Sequence, residues 1–361
     1  MLGKGKRTAV SNTAWTVRKP VWRCYGDSIR IGNSMTKVIR WGILGPGVIS
    51  RKFVVDLKTA EGALVTAVGS RSLERATRFA AEFDIPHAHG SYAGLVEDAD
   101  VDAVYVGTPH PFHKDHTILC LENGKHVLCE KPFAINAVEA AEMVRVARAR
   151  KRALMEAMVT RHLPVALRLR ELIAGGVIGD VRMITAGFGF RAKFDPASRL
   201  FDPQLGAGAL LDLGIYPLSF AYMLLGEPAT IDSRARLGKT GVDEQAAVLL
   251  GYQNGALAAL TMAIRLNIPR EAHVLGTEGQ IKIFPRWWVP SRMAVKRPGR
   301  DEHIIDLPFK GNGYTDEAES FMEVIRSGRL ESDAMPLEES LSIMRTMDAI
   351  RAQWGLKYPM E

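Results

Sequence analysis

Hydrophobic and polar positions along the chain change rhythm near its middle. From residue 35 to about residue 158, short apolar runs alternate with stretches whose apolar positions recur every three or four residues. Strands are expected over 38–44, 64–69, 101–107, 126–132 and 153–158. Helices are expected after the first strand to about 57, over 73–83 behind the N-cap Ser72, and from Pro111 to about Asn123. Another, opened by Asn136 and Glu139 in a capping arrangement, runs to about Arg150, and a further one spans 164–174. Such alternation predicts a parallel sheet with helices on both faces.

After Gly179 the strands succeed one another, over 181–190, 230–236, 245–252, 256–264, 272–275, 280–284, 293–296 and 303–307. Tight turns are expected at Gln253-Asn254-Gly255 and at Gly276-Thr277-Glu278-Gly279. One largely apolar helix interrupts them, entered at about 206–217 and running to about 225, and two helices over 314–327 and 337–353 close the chain. The fold class is therefore α/β plus α+β: a Rossmann-type domain with a parallel sheet over 35–158, then a domain over 159–361 with an open antiparallel sheet flanked by helices.

Composition changes this picture only at the N-terminus. The formal charge is +7, but Lys4, Lys6, Arg7, Arg18, Lys19, Arg23 and Arg30 fall within the first 34 residues against Asp27 alone, and the rest holds 40 basic and 39 acidic residues. No general nucleic-acid footprint remains. Residues 1–34 have no periodicity and no secretory pattern, and are expected to be a disordered basic extension or the product of an upstream start. No apolar run reaches the roughly 18 residues a membrane span needs, so no membrane partner is expected. Cys24, Cys120 and Cys129 form neither a disulfide framework nor a metal-ligand spacing and fit reduced thiols in a cytoplasm.

The candidate chemistry lies at strand ends. Gly45 and Gly47 follow the first strand and open a helix at Val48 and Ile49, where backbone N–H groups and the helix dipole suit a pyrophosphate. Ser50 takes the third fingerprint position, where a small residue still packs closely. The second strand ends in Ser70-Arg71, with no carboxylate for a ribose 2′-hydroxyl. A guanidinium suits a 2′-phosphate instead, so NADP is favoured over NAD.

Thr108, Pro109, His110 and His113 follow a third strand and are placed to line the nicotinamide site. His110, His113 and His116 lack a thiol or carboxylate cluster, so no metal is expected. Glu130 and Lys131 end the next strand, where a lysine can move a proton at a substrate oxygen. Asp212 and Tyr216, four apart on an apolar helix, are expected to project from one face. Arg191, Lys193 and Arg199 lie in the loop before it, and Trp287-Trp288 belongs either to the core or to an oligomer interface.

Taken together, Gly45-Pro46-Gly47-Val48-Ile49-Ser50, Thr108-Pro109-His110-Pro111-Phe112-His113, Glu130-Lys131-Pro132 and Asp212-Leu213-Gly214-Ile215-Tyr216 resemble the glucose–fructose oxidoreductase / inositol dehydrogenase family from about residue 36 to the C-terminus. Within it the chain is most similar to the dimeric dihydrodiol dehydrogenases and NADP-dependent D-xylose dehydrogenases, a likeness that includes Gly241-Val242-Asp243.

The resemblance implies Lys131 and Tyr216 as acid/base groups, Asp212 as the residue that orients substrate, and a homodimer or higher homo-oligomer through the C-terminal sheet. It also implies hydride exchange between NADP and a secondary hydroxyl or carbonyl of a sugar, polyol or cyclic diol. Inositol dehydrogenases carry histidine where Tyr216 stands. Mammalian-type dihydrodiol dehydrogenases carry tryptophan near Met158-Val159, which favours a sugar or polyol here. The alternatives within the family are an NADP-sensing regulator and an NAD-dependent glycosidase.

Overall fold

The computed structural model describes residues 37–361, so the expectations for the basic segment and for Cys24 lie outside the described residues. The N-terminal part runs β1 (Ile39–Leu44), α1 (Val48–Leu57), β2 (Ala63–Gly69), α2 (Leu73–Phe83), β3 (His87–His89), α3 (Tyr92–Glu97), β4 (Ala103–Val106), α4 (His113–Glu122), β5 (His126–Glu130), α5 (Ala137–Arg150) and β6 (Leu154–Ala157). Its strands form one parallel sheet in the order β3-β2-β1-β4-β5-β6. The order reverses between β1 and β4, and the two loops leaving that crevice are Gly45–Gly47 and Thr108–His110.

Caps explain several boundaries. Ser72 Oγ accepts from Arg75 N–H at 3.3 Å and Asn136 Oδ1 from Glu139 N–H at 2.9 Å. The helix expected to begin at Pro111 opens as a single 3₁₀ turn, His110–Phe112, before α4. Two elements escaped the pattern. β3 reads His-Ala-His, with no apolar run, and α3 is only six residues long behind its N-cap Ser91.

The chain continues with α6 (Pro164–Ala174), β7 (Val181–Gly189), α7 (Ile215–Leu225), β8 (Thr230–Leu237), β9 (Asp243–Gly251), β10 (Leu257–Ala263), β11 (Ala272–Gly276), β12 (Gly279–Ile283), β13 (Arg292–Lys296), β14 (His303–Asp306), α8 (Tyr314–Arg326) and α9 (Leu337–Trp354). The second sheet has eight strands in the order β14-β13-β12-β11-β7-β10-β9-β8. It is antiparallel except for β7 and β10, which pair in parallel. That departure from the expected antiparallel sheet follows from the crossover: the chain leaves β7, builds α7 and the β8–β9 hairpin, and returns in the same direction.

The segment Pro203–Leu225 is long enough to cross a membrane and its most apolar 18-residue window has a mean hydropathy of 1.5, yet 78% of that window is buried inside the molecule. It is the core helix of the second half, packed against β7, β10 and α9. Trp287 belongs to the core: it is fully buried, its Nε1 donates to Gly187 O at 2.7 Å, and it packs on Phe220.

The last helices fold back onto the first sheet. Trp41 packs on Phe53 (5.6 Å between rings) and Phe321 (5.9 Å), and Phe53 stacks on Tyr105 at 3.8 Å, which joins β1, α1, β4 and α8. Asp56 at the end of α1 accepts from Asn312 N–H (2.7 Å) and Tyr314 N–H (3.0 Å), and so holds the start of α8.

Candidate active site

At the β1 turn, Gly45 has φ +93°, and a Cβ there would lie 2.9 Å from Thr108 Cγ2. Both facts require glycine. Ser50 is fully buried and its hydroxyl donates to Gly45 O at 2.6 Å, so serine locks the turn that a third glycine would merely permit. Gly47 is the N-cap of α1; no side chain caps that helix and its first turn carries no acidic residue. Val48 in that turn is 76% exposed and Ile49 half-buried. The helix start therefore presents uncapped N–H groups to an anion.

The ribose-reading corner follows β2. Ser70 is buried, donates its N–H to His89 O at 3.1 Å, and its Oγ accepts from Ser72 N–H at 3.3 Å, which fixes the exposed Arg71 at the strand end. Burial raises the pKa of the Tyr92 phenol, while Arg71 and Arg75 pull it down. Tyr92 in turn meets the His116 ring edge-on at 4.5 Å, and His116 lies against Phe112. Tyr92 was not singled out in the sequence because α3 gave no periodic signal, and Arg75 lies on the exposed side of the expected α2 with nothing to mark it.

Thr108, His110 and His113 build the facing wall. His113 is fully buried, with Nδ1 2.8 Å from Pro132 O and Nε2 2.8 Å from Thr108 O, so it bridges the two loops. His110 Nδ1 lies 3.1 Å from Gly206 O, which places the ring proton on Nδ1. Enclosure lowers its pKa to about 3 despite Asp212 nearby, so His110 is neutral. Thr108 Oγ1 pairs with His116 Nδ1 at 3.0 Å, and Pro109 is exposed. The three histidines serve carbonyl and hydroxyl partners rather than a common centre.

Lys131, Asp212 and Tyr216 come together. Asp212 lies in a π-turn, Leu210–Gly214, that runs straight into α7, a local geometry not expected from the sequence. In a π-turn the carbonyl of residue i is served by the N–H of residue i+5. For Asp212 that residue is Pro217, which has no N–H. The Asp212 carbonyl accepts from Lys131 Nζ at 2.8 Å, and Asp212 Oδ1 accepts from Lys131 Nζ at 3.3 Å and from Arg199 Nη1 at 3.0 Å.

Nζ also sits 4.8 Å from the Tyr216 ring centroid. Burial alone would raise the Asp212 pKa; the charges of Lys131 and Arg199 hold it well below the usual carboxylate range. Tyr216 moves the other way: burial, then Glu130 and Asp212, push its phenol far above the usual value, so it stays neutral and able to donate. Glu130 is buried beneath Lys131 and accepts from the Tyr105 hydroxyl and from Lys131 N–H.

Among the described residues, Asp212 Oδ2 is buried without a hydrogen-bond partner. An ionised oxygen in that state can accept from a further donor. Beside it, Phe188 meets Tyr216 edge-on at 5.4 Å and stacks on Trp288 at 3.9 Å. Met158 and Val159, the aliphatic pair noted in the sequence, are buried.

One further residue positions this set. Asp243 is fully buried and its Oδ2 accepts from Leu210 N–H at 2.7 Å, at the mouth of the π-turn. Gly208, at φ +120°, leaves room for it, since a Cβ there would fall 2.1 Å from Asp243 Oδ1.

The family model described as "Oxidoreductase family, NAD-binding Rossmann fold" matches residues 39–158, and a GFO/IDH/MocA C-terminal domain model matches residues 166–282. The chain belongs to this family. It is 39% identical over 332 residues to trans-1,2-dihydrobenzene-1,2-diol dehydrogenase of Xenopus tropicalis, covering 89% of this chain and 99% of the relative. The human enzyme of that name is 38% identical over 90% of this chain and 99% of its own.

Among solved structures, a 3-ketoreductase from Actinomadura kijaniata in complex with NADP and TDP-benzene aligns at TM-score 0.78 with 29% identity, over 88% of this chain and 98% of that one. An aldose-aldose oxidoreductase from Caulobacter crescentus aligns at 0.81 with 25% identity, over 89% and 99%. As a member of this family the chain is a nicotinamide-dependent oxidoreductase acting on CH–OH groups. The glycine turn, the uncapped α1 and the exposed Arg71 fit an NADP-type dinucleotide.

Proposed function

We propose that the protein exchanges a hydride between NADP and a secondary hydroxyl or carbonyl on a sugar, polyol or cyclic diol. The observation that carries this reading is the buried, unpartnered Asp212 Oδ2 beside Lys131 Nζ and Tyr216. The substrate oxygen lies between Lys131 and Tyr216, and a neighbouring substrate hydroxyl donates to Asp212 Oδ2. In the reductive direction Lys131 Nζ gives two protons to hydrogen bonds with Asp212 and keeps the third for the reacting oxygen, and Tyr216, a neutral phenol, is the second donor beside it. One of the pair gives up a proton as the carbonyl becomes a hydroxyl, and in the oxidative direction that same group, deprotonated, takes the hydroxyl proton back. Bound NADP supplies the hydride chemistry; the chain orients, polarises and keeps water out. The Phe188–Trp288 face suits the apolar face of a ring substrate.

Cofactor contacts are assigned to Gly45, Gly47, Val48, Ile49, Ser70, Arg71, Thr108, Pro109, His110, His113, Glu130 and Lys131. The division at 158/159 into a dinucleotide part and a substrate and assembly part is supported by where the two family models match. Leu249 and Leu257, each 40% exposed on the second sheet, support a dimer through that sheet. Cys120 and Cys129, both free and buried, suit a cytoplasmic setting.

The test is NADPH formation by purified protein against aldoses, inositols and cyclic diols, with NAD+ in parallel. Turnover with NADP+ and one substrate group is expected, and Lys131→Met should lower it far more than it lowers NADPH affinity. Tight NADP binding without turnover on any group would overturn the reading in favour of a sensor, and substrate cleavage without net NADPH in favour of a glycosidase.

A further inference from the structure

Far from the proposed catalytic groups, β3 and the end of α3 bring together two histidines and an aspartate. His87 and His89 are two apart in a strand, so their side chains leave the same face. His87 Nδ1 lies 2.7 Å and His89 Nε2 2.8 Å from one and the same oxygen, Asp98 Oδ2. The three potential ligand atoms all lie within 4.8 Å of one another. We propose that His87, His89 and Asp98 form a binding site for a borderline divalent transition-metal ion of the Zn2+ type, with water completing its coordination.

Imidazole and carboxylate are the donor types such ions prefer over the oxygen-only shells of Mg2+ and Ca2+. Ligands about 2.0–2.2 Å from a tetrahedral ion stand roughly 3.3–3.6 Å apart, so each nitrogen must retreat about half an ångström or more from Oδ2 while the two nitrogens, within 4.8 Å of each other, draw together by side-chain rotation. Each ring keeps one proton, on the nitrogen facing away from the ion, so binding needs a tautomer in which the inner nitrogens are bare.

The carboxylate is already held. Asp98 Oδ1 accepts from Asp100 N–H at 2.8 Å, the outer partner that fixes a ligand's orientation. Lys125 Nζ donates to the carbonyls of Asp98 and Val101 (2.7 and 2.8 Å), which pins the backbone at this turn. The Asp98 side chain is 8% exposed, whereas His87 and His89 are 41% and 26% exposed, so the cluster opens to water on its histidine side. An ion there would join β3 to α3, beside the Ser70–Arg71 corner, because His89 O already holds Ser70 N–H.

The experiment titrates ZnCl2 into the full, tag-free, chelator-stripped chain against a chromophoric chelator. One saturable ion per chain is expected, and His87→Gln, His89→Gln and Asp98→Asn should each weaken it by at least ~10–100-fold, the loss seen even for an outer partner. X-ray absorption of the Zn-loaded wild type should count two imidazoles and no sulfur, a readout that does not depend on any variant folding. Absence of saturable binding, unchanged affinity in folded variants, or a shell with thiolate or fewer than two imidazoles would overturn the site. NADP-linked turnover of the His87→Gln variant, measured in parallel, separates this outcome from any failure of the oxidoreductase reading.

Discussion

At the scale of single residues, the site divides labour by pushing two protonation equilibria apart. Asp212 is held ionised by Lys131 and Arg199, and Tyr216 is held neutral by burial among carboxylates. Neither changes state between about pH 5 and 9. Tyr216→Phe should therefore lower kcat by ~10²–10⁴-fold without moving any inflection of the pH–rate profile in that window, and NADPH affinity should hold. A displaced inflection would mean that Tyr216 itself titrates there. Under the proposed reading Arg71 acts on cofactor choice. Its replacement by alanine removes a charge-assisted contact of about 1.5–3 kcal/mol, so the preference for NADP+ over NAD+ in kcat/KM should fall ~10–100-fold.

At the scale of elements, the places of the candidate site residues were legible in the sequence because each ends a strong apolar strand or opens a helix. Gly45–Gly47, Ser70-Arg71, Thr108–His113 and Glu130-Lys131 all follow strands whose runs of valine, leucine and isoleucine admit one reading. What stayed hidden was shorter or irregular. β3 and α3 are too brief for a periodic signal, and with them went Tyr92 and the histidine cluster. The π-turn was hidden because i,i+4 spacing looks alike in either helix; only Pro217, read as a missing donor, announces it.

The support for α7 was likewise invisible, since it is long-range. Arg161 is fully buried and donates from Nε to Ser219 Oγ (2.9 Å) and from Nη2 to Ser219 O (2.7 Å) and to Glu339 on α9. Breaking a buried pair by removing one partner costs about 3–5 kcal/mol. Arg161→Met should lose that much in urea unfolding, and adding Glu339→Met should restore much of it. Equal losses in the single and double variants would show that the guanidinium acts through Ser219 alone.

At the scale of the molecule, the spacing between Lys131 and Asp212 depends on how the two sheets are joined, and the C-terminal segment joins them. On the Lys131 side, Asp348 accepts from Ala137 N–H at 2.8 Å, and Asn136 Nδ2 donates to Glu361 Oε1 at 3.0 Å. On the Asp212 side, the Tyr358 hydroxyl donates to Ala207 O at 2.7 Å, five residues before Asp212. Arg351 closes the clamp with paired bonds to Glu361 of 2.7 and 3.0 Å.

Burial would raise the Glu361 pKa, but Arg351 and the Tyr358 N–H lower it from 4.5 to about 2. A carboxylate depressed on folding contributes stability that is complete above its unfolded pKa of 4.5 and lost as pH falls through about 2. Glu361→Gln should therefore cost about 1–2 kcal/mol in urea unfolding at pH 7, a figure discounted for the group's solvent screening. The cost should shrink steadily below pH 4.5. If the clamp also sets the register of the two sheets, kcat should fall in this variant while NADPH affinity, proposed to reside in the first domain, stays constant. A constant cost from pH 7 to pH 3 would show that the carboxylate charge contributes nothing, and an unchanged kcat would confine the clamp to stability.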